Sequence, residues 1–110
     1  MTRSTLLLLI GAAVAAAGGQ LLFKIGAQNR THTLDFVNLP IGLGLLVYGT
    51  GAVLWILALS KEKLIVAYAF AALTFALVYV GGIWLLGESL SARGAMGLAL
   101  VLGGLYLLAT

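Results

Sequence analysis

Charged residues divide this sequence into four long apolar runs, and this division constrains the fold more than any other feature. The uncharged runs cover residues 4–23, 36–60, 64–87 and 94–110. Each has roughly the 17–25 residues that a helix needs to cross a bilayer. Lipid satisfies no backbone N–H or C=O group, so a membrane span must be a helix or part of a closed barrel. Because apolar residues run continuously rather than alternating with polar ones, we predict helices.

The composition supports a chain whose main solvent is lipid. Hydrophobic residues make up 63% and charged residues 8% of the sequence, against roughly 45–50% and about 25% in soluble domains. The net charge is +3, but the basic residues are scattered and form no patch interleaved with aromatics. We therefore predict no nucleic-acid binding.

Several kinds of chemistry lack the residues they need. The chain has no cysteine and one histidine, so we predict no disulfide, no metal site and no cofactor. No nucleophile, phosphate-loop or paired-carboxylate motif is present. We expect a carrier or an accessory protein rather than an enzyme.

These runs predict an all-α integral membrane protein with four transmembrane helices, short loops and a single domain over residues 1–110. We place the spans near residues 4–26, 37–60, 64–87 and 92–109. The first run has some features of a signal peptide, but three further spans follow it, and we expect it to be retained. A bundle of four helices is thin for a transport pathway, which favours pairing into a dimer.

The orientation in the membrane stays open. Three basic residues fall on each side, namely Arg3, Lys61 and Lys63 on one and Lys24, Arg30 and Arg93 on the other. The positive-inside rule therefore gives almost no preference. A single orientation with cytoplasmic termini and dual insertion as an antiparallel homodimer are both consistent with this balance.

Three of the predicted helices carry a face that mixes small residues with polar or aromatic ones. In the second span this face includes Gly44 and Gly51. If the faces meet, they line a cavity for substrate that holds Gln20, Tyr48, Trp55, Tyr68, Thr74 and Tyr79. Membrane-interface anchoring and plain packing are the alternatives for these aromatics.

Glycines also form a stripe on the fourth span. Gly94, Gly97 and Gly104 share one helical face, and small residues let helices approach closely in lipid. This stripe predicts either packing within the chain or the contact surface of a dimer.

No acidic residue lies inside a span, although proton-coupled exporters need a carboxylate at membrane depth, where the low dielectric raises its pKa. Lys24 and Glu88 end the first and third spans, which run in the same direction. We therefore expect them at the same membrane level, possible partners in an ion pair. Snorkelling of Lys24 to lipid headgroups is the alternative.

Three parts of the chain resemble a known superfamily. "GGQLLFKIGA" in the first span, "LLGESLS" after the third and the glycine-spaced last helix resemble the drug/metabolite transporters, in particular the small multidrug resistance branch. The chain is most similar to the small subunits proposed to flip aminoarabinose-phosphoundecaprenol. That resemblance implies a paired four-helix bundle in the bacterial inner membrane.

The resemblance also implies a difference in mechanism. Multidrug exporters of this branch carry a glutamate in the first span, and alignment on Lys24 places Ala16 at that position. The leading hypothesis is a flippase subunit for a polyprenyl-phosphate-linked sugar, with Gln20, Lys24 and Glu88 among the substrate contacts and Arg30 and Arg93 attracting phosphate. The alternatives are an exporter of small cations, which would depend on Glu88, and a non-transporting accessory subunit. Either a homodimer or a heterodimer with a similar subunit fits.

Overall fold

A computed structural model describes residues 2–109, and the described residues are helical with no strand. The elements are helices α1 Arg3–Ala27, α2 Leu39–Leu59, α3 Leu64–Tyr68, α4 Ala71–Leu86 and α5 Ala92–Ala109, with a short 3-10 helix at Thr33–Phe36 between α1 and α2. The prediction of an all-α membrane protein is confirmed.

Three stretches are long and apolar enough to cross a membrane: Arg3–Ala27, Leu39–Leu59 and Leu64–Leu86, the last containing α3 and α4. The apolar helix Ala92–Leu108 is shorter. A fourth crossing by α5, and with it a single four-span domain, stays a prediction.

Helices α1 and α2 form an antiparallel hairpin whose ends are set by local polar contacts. Asn29 adopts a left-handed conformation with φ of 57° just after α1, a geometry that asparagine tolerates better than most residues. Asn38 then begins α2, its Oδ1 accepting a hydrogen bond from the N–H of Ile41 at 3.0 Å. Its Nδ2 donates to the carbonyl of Gly26 at 2.9 Å, so one side chain joins the end of α1 to the start of α2.

The interface of the hairpin is built from small residues at intervals of seven. The buried residues with this spacing are Thr5, Ala12, Gly19 and Gly26 on α1, and Gly44, Gly51 and Ala58 on α2. A seven-residue interval keeps a contact on one face of two helices that cross at a shallow angle. Lipid is as apolar as the helix surfaces, so close backbone packing supplies the attraction between them.

The third span is interrupted after five residues. The N–H groups of Ala69 and Phe70 donate to carbonyls three residues earlier, and those of Ala72 and Leu73 do the same. This 3-10 geometry separates α3 from α4 and advances the chain by about 120° per residue instead of 100°. The interruption ends α3 at Tyr68 and begins α4 at Ala71.

Helix α5 packs against α3 and α4. In the part of the chain that the structure describes, a Cβ added at Gly97 or Gly104 would meet no atom within 4 Å, and one at Gly94 would meet only the adjacent Leu90 and Ser91. No other helix of the described chain therefore approaches the stripe closely. The role of the stripe, either packing within the chain or contact with a second subunit, stays a prediction.

Candidate functional site

A cavity of about 320 Å³ lies among α1, α2 and the start of the third span. Its α1 wall is made mainly of alanines, whose small side chains leave the space open. The residues that line it are Ala12, Ala13, Ala16 and Gln20 of α1, Tyr48, Gly51, Ala52 and Trp55 of α2, and Tyr68, Phe70, Ala71, Thr74 and Phe75 of the third span.

Five of the six residues expected to share a cavity do line it: Gln20, Tyr48, Trp55, Tyr68 and Thr74. Their role as substrate contacts stays a prediction. Tyr79 is the exception, because it lies in a separate groove against α5. Thr74 and Phe75 still face the cavity after the 3-10 turn, and Phe75 also lines the groove, so the surroundings of α4 change from cavity to groove in the single turn between Phe75 and Tyr79.

The sequence did not single out Phe70 as a lining residue. It enters the cavity wall because the helix is interrupted at this position, where no glycine or proline marks a break. The available signal was the cluster of aromatics at Tyr68, Phe70 and Phe75. Gly44, by contrast, shares a helical face with Tyr48 but is buried against α1 and does not line the cavity.

The polar groups of the cavity are open to a ligand. Among the described residues, the side chains of Gln20, Tyr48, Tyr68 and Thr74 donate or accept no hydrogen bond with another protein group. Ring contacts help to fix two of the aromatics. The ring centroids of Trp55 and Tyr68 are 6.1 Å apart at an interplanar angle of 77°, and those of Phe23 and Tyr48 are 5.8 Å apart.

All of the residues in the cavity wall are uncharged. Amide, hydroxyl and indole groups can exchange hydrogen bonds with a polar ligand, and aromatic faces can pack on its C–H groups. Such a wall suits the recognition of the hydroxyl groups of a sugar. Ala16 lies in this wall, at the position where the resemblance to multidrug exporters would place a glutamate.

A separate pair of charges lies outside the cavity. Lys24 Nζ is 3.9 Å from Glu88 Oε2, which confirms the predicted pairing, and both side chains are 53% exposed. Two glycines position the carboxylate. Gly87 has a left-handed φ of 68° and turns the chain at the end of α4, and a Cβ at Gly82 would lie 2.9 Å from Glu88 Oε1.

The other two predicted phosphate-attracting residues are also exposed. Arg30 Nε donates to the carbonyl of Gly26 at 3.2 Å and so satisfies one backbone group at the end of α1. Arg93 lies in the first turn of α5. Lys24, Arg30 and Arg93 therefore remain outside the cavity, and their attraction for phosphate stays a prediction.

Several curated proteins with similar sequences are named as subunits of one kind of flippase. The probable 4-amino-4-deoxy-L-arabinose-phosphoundecaprenol flippase subunit ArnE of Escherichia coli O81 (strain ED1a) is 32% identical over 106 residues, which cover 93% of this chain and 94% of that protein. The subunit of the same name from Escherichia fergusonii is 32% identical over 108 residues, with the same shares covered.

A second kind of subunit matches over a shorter region. The probable flippase subunit ArnF of Shewanella sediminis (strain HAW-EB3) is 36% identical over 69 residues, which cover 61% of this chain and 48% of that protein. No protein-family model matches the chain, and no solved structure does.

Proposed function

This chain belongs to the family of flippase subunits named ArnE, and from that premise we propose that it moves a polyprenyl-phosphate-linked sugar across the bacterial inner membrane. The names of the relatives describe subunits of a flippase for 4-amino-4-deoxy-L-arabinose-phosphoundecaprenol. A sugar attached to a lipid phosphate is the substrate class that we propose for this chain.

The observation that carries the proposal is the uncharged cavity with unsatisfied polar side chains. Gln20, Tyr48, Tyr68 and Thr74 offer hydrogen-bonding groups in a wall that is otherwise apolar. A sugar carries hydroxyls that need partners when they leave water, since an unpaired polar group in an apolar medium costs about 2–7 kcal/mol. These side chains would lower that cost while the sugar crosses.

Basic residues near the membrane face would attract the phosphate. Lys24, Arg30 and Arg93 are all exposed, and each such charge near anionic headgroups contributes about 1 kcal/mol to attraction. Lys24 is also close to Glu88. The pair can therefore open when an anionic phosphate competes for the ammonium group.

The cation-exporter alternative receives less support. An exporter of that kind needs a titratable carboxylate in its pathway, but the cavity wall contains Ala16 where the related exporters carry glutamate. Glu88, the remaining candidate, is paired with Lys24 outside the cavity. The accessory-subunit alternative predicts instead that substitutions in the cavity of this chain, such as Gln20→Leu, leave transport by the assembled complex unchanged.

The partner that we propose is a second small subunit of similar length, because the relatives are named as subunits and include both ArnE and ArnF. A homodimer is the alternative. A heterodimer predicts transport when the chain is reconstituted with an ArnF-type subunit and little transport without it.

The test is to measure translocation of an aminoarabinose-linked polyprenyl phosphate in liposomes that contain this chain, with and without an ArnF-type partner. We expect Gln20→Leu to slow translocation by about tenfold, since one lost hydrogen bond to a buried polar group is worth about 1–3 kcal/mol. Gln28→Leu is the matched control, because Gln28 follows α1 in an exposed loop. The proposal fails if neither preparation moves the lipid-linked sugar.

A further inference from the structure

A second groove, of about 360 Å³, lies between α4 and α5. It is the groove to which Tyr79 belongs. The Tyr79 hydroxyl is the one polar side-chain group among its lining residues, which are Phe75 and Tyr79 of α4 and Gly94, Gly97, Leu98 and Val101 of α5. The groove is therefore suited to an apolar occupant.

Missing side chains on α5 create this space. In the described chain, a Cβ at Gly97 would meet no atom within 4 Å. Helix α5 therefore stands away from α4 along this stretch. The groove runs from Gly94 to Val101, about 10 Å at 1.5 Å per residue.

The shape of the groove favours a single extended chain over a helix. The groove is the gap that remains where α5 lacks side chains, and a helix with its side chains, about 10–12 Å across, is too wide to enter a gap of that kind. An extended hydrocarbon chain can lie in it. A helix from another subunit would cover the groove without filling it.

Phe75 connects the groove to the candidate site. It lines both the groove and the cavity that holds Gln20 and Thr74, and its side chain is partly exposed. A molecule with a polar head in the cavity and an apolar tail in the groove would therefore pass the Phe75 ring. Two binding regions of opposite polarity that share one wall match an amphiphile.

We propose that the groove binds the hydrocarbon tail of the substrate while the cavity binds its sugar, with Phe75 between them. This inference rests on the proposed function and extends it, because it makes the lipid tail part of what the protein recognises. Free sugars or sugar phosphates would bind the cavity alone and weakly.

Photocrosslinking tests the groove directly. The probe is a polyprenyl phosphate with a diazirine in the isoprene units nearest the phosphate, and mass spectrometry locates the adduct on the full chain in liposomes. We expect adducts on α4 and α5 at the residues that line the groove. An excess of phosphatidylglycerol should leave the adduct yield unchanged. If the groove instead bound any lipid tail, phosphatidylglycerol would displace the probe and the yield would fall.

Two glycine variants on one helix provide a matched pair. Gly97→Leu fills the groove, whereas Gly103→Leu lies on the same helix and lines neither the groove nor the cavity. We expect Gly97→Leu to reduce adduct yield at the groove by about tenfold, since exclusion of about two methylene groups has that effect. Gly103→Leu should give the wild-type yield.

Three outcomes would overturn the inference. These are equal yields for Gly97→Leu and wild type, adducts on other faces of the bundle, and displacement of the probe by phosphatidylglycerol.

A change from dimer to monomer in Gly97→Leu but not in Gly103→Leu, measured by sedimentation in detergent, would mean that a second subunit occupies this face. If the tail crosslinks in the groove but liposomes show no translocation, the proposed function fails and the tail site stands.

Discussion

Gly19 and Gly44 face each other across the α1–α2 interface so closely that a Cβ on either would lie about 3 Å from the carbonyl oxygen of the other. The distances are 3.1 Å from a Cβ at Gly19 to Gly44 O and 3.0 Å from a Cβ at Gly44 to Gly19 O. The contact is reciprocal and involves backbone atoms, which cannot rotate away as side chains can. It fixes the distance between two of the helices that form the cavity wall.

The first prediction concerns this contact. Gly44→Ala should destabilise the protein by about 1–3 kcal/mol, because the added methyl group overpacks the interface. Its Cβ would also lie 2.8 Å from the ring of Phe23. Unfolding by SDS in mixed micelles, followed by circular dichroism, measures the change.

Gly49→Ala is the control on the same helix. In the described chain a Cβ at Gly49 would meet nothing within 4 Å, so the substitution should leave stability unchanged or raise it by up to about 1 kcal/mol through helix propensity. Equal effects of the two substitutions would mean that the close approach at Gly44 is not what stabilises the hairpin.

The second prediction separates the functions of the Asn38 side chain. It caps α2 through Oδ1 and ties α2 to Gly26 and Asp35 through Nδ2, both at 2.9 Å. Asn38→Ala should cost about 1–3 kcal/mol, the sum of a lost N-cap and lost tethers. Asn38→Asp keeps the cap and loses the donor, so its cost should be smaller. If Asn38→Asp is as destabilising as Asn38→Ala in the same unfolding assay, the cap contributes little.

The third prediction concerns Lys24 and Glu88. Since both side chains are half exposed, the ion pair should contribute no more than about 1 kcal/mol to stability. We expect Lys24→Ala to insert and assemble normally but to translocate the lipid-linked sugar about tenfold more slowly. The reason is that the hydrogen bond between the Lys24 ammonium group and the charged phosphate of the substrate would be lost. Glu88→Gln should retain transport.

Lys63→Ala is the control for a lost positive charge, because Lys63 is exposed in the loop between α2 and α3. Full transport by Lys24→Ala would remove Lys24 from the pathway. Loss of transport in Glu88→Gln would favour the carboxylate-dependent exporter.

The fourth prediction introduces a carboxyl group into the cavity. Ala16 lies in the cavity wall one turn before Gln20, so Ala16→Glu places a titratable group where the lining is uncharged. An ionised carboxylate in this wall should give the cavity an affinity for a lipophilic cation that the uncharged lining does not have, because opposite charges attract strongly in a medium of low dielectric.

Ala16→Gln is close in shape but cannot ionise, so it should bind the cation no more strongly than the wild type. Ala16→Glu should bind a lipophilic cation more strongly as pH rises and the carboxyl ionises, measured by equilibrium dialysis in detergent. Equal cation binding by the two variants would mean that the side chain at this position does not face the cavity.

Local features of the sequence predicted much of the site. Twenty apolar residues at about 1.5 Å each bring Lys24 to the far membrane boundary, and parallel direction of the first and third spans put Glu88 at the same level. These two facts place both residues at one membrane level, and the packing of α1 against α4 then brings Lys24 Nζ within 3.9 Å of Glu88 Oε2. Helical spacing likewise placed Gln20, Tyr48, Trp55, Tyr68 and Thr74 on faces that could meet, and all five line one cavity.

Two features required the tertiary structure. The 3-10 turn at Ala69 and Phe70 contains no glycine or proline. Beyond Phe75, helix α4 faces α5, so Tyr79 lies in the groove rather than in the cavity. The glycines of α2 and α5 look equivalent in sequence, yet Gly44 is buried against α1, while a Cβ at Gly97 would meet no described atom within 4 Å.

The sequence by itself determined that the chain is apolar and helical, where its helices begin and end to within a few residues, and which side chains share a helical face. Periodicity and length carry that information because each span must satisfy its own backbone hydrogen bonds. Which face meets which neighbour was decided by the tertiary structure. In lipid all faces of a span can be equally apolar, so the choice depends on close packing between particular residues, such as Gly19 and Gly44, rather than on a hydrophobic pattern.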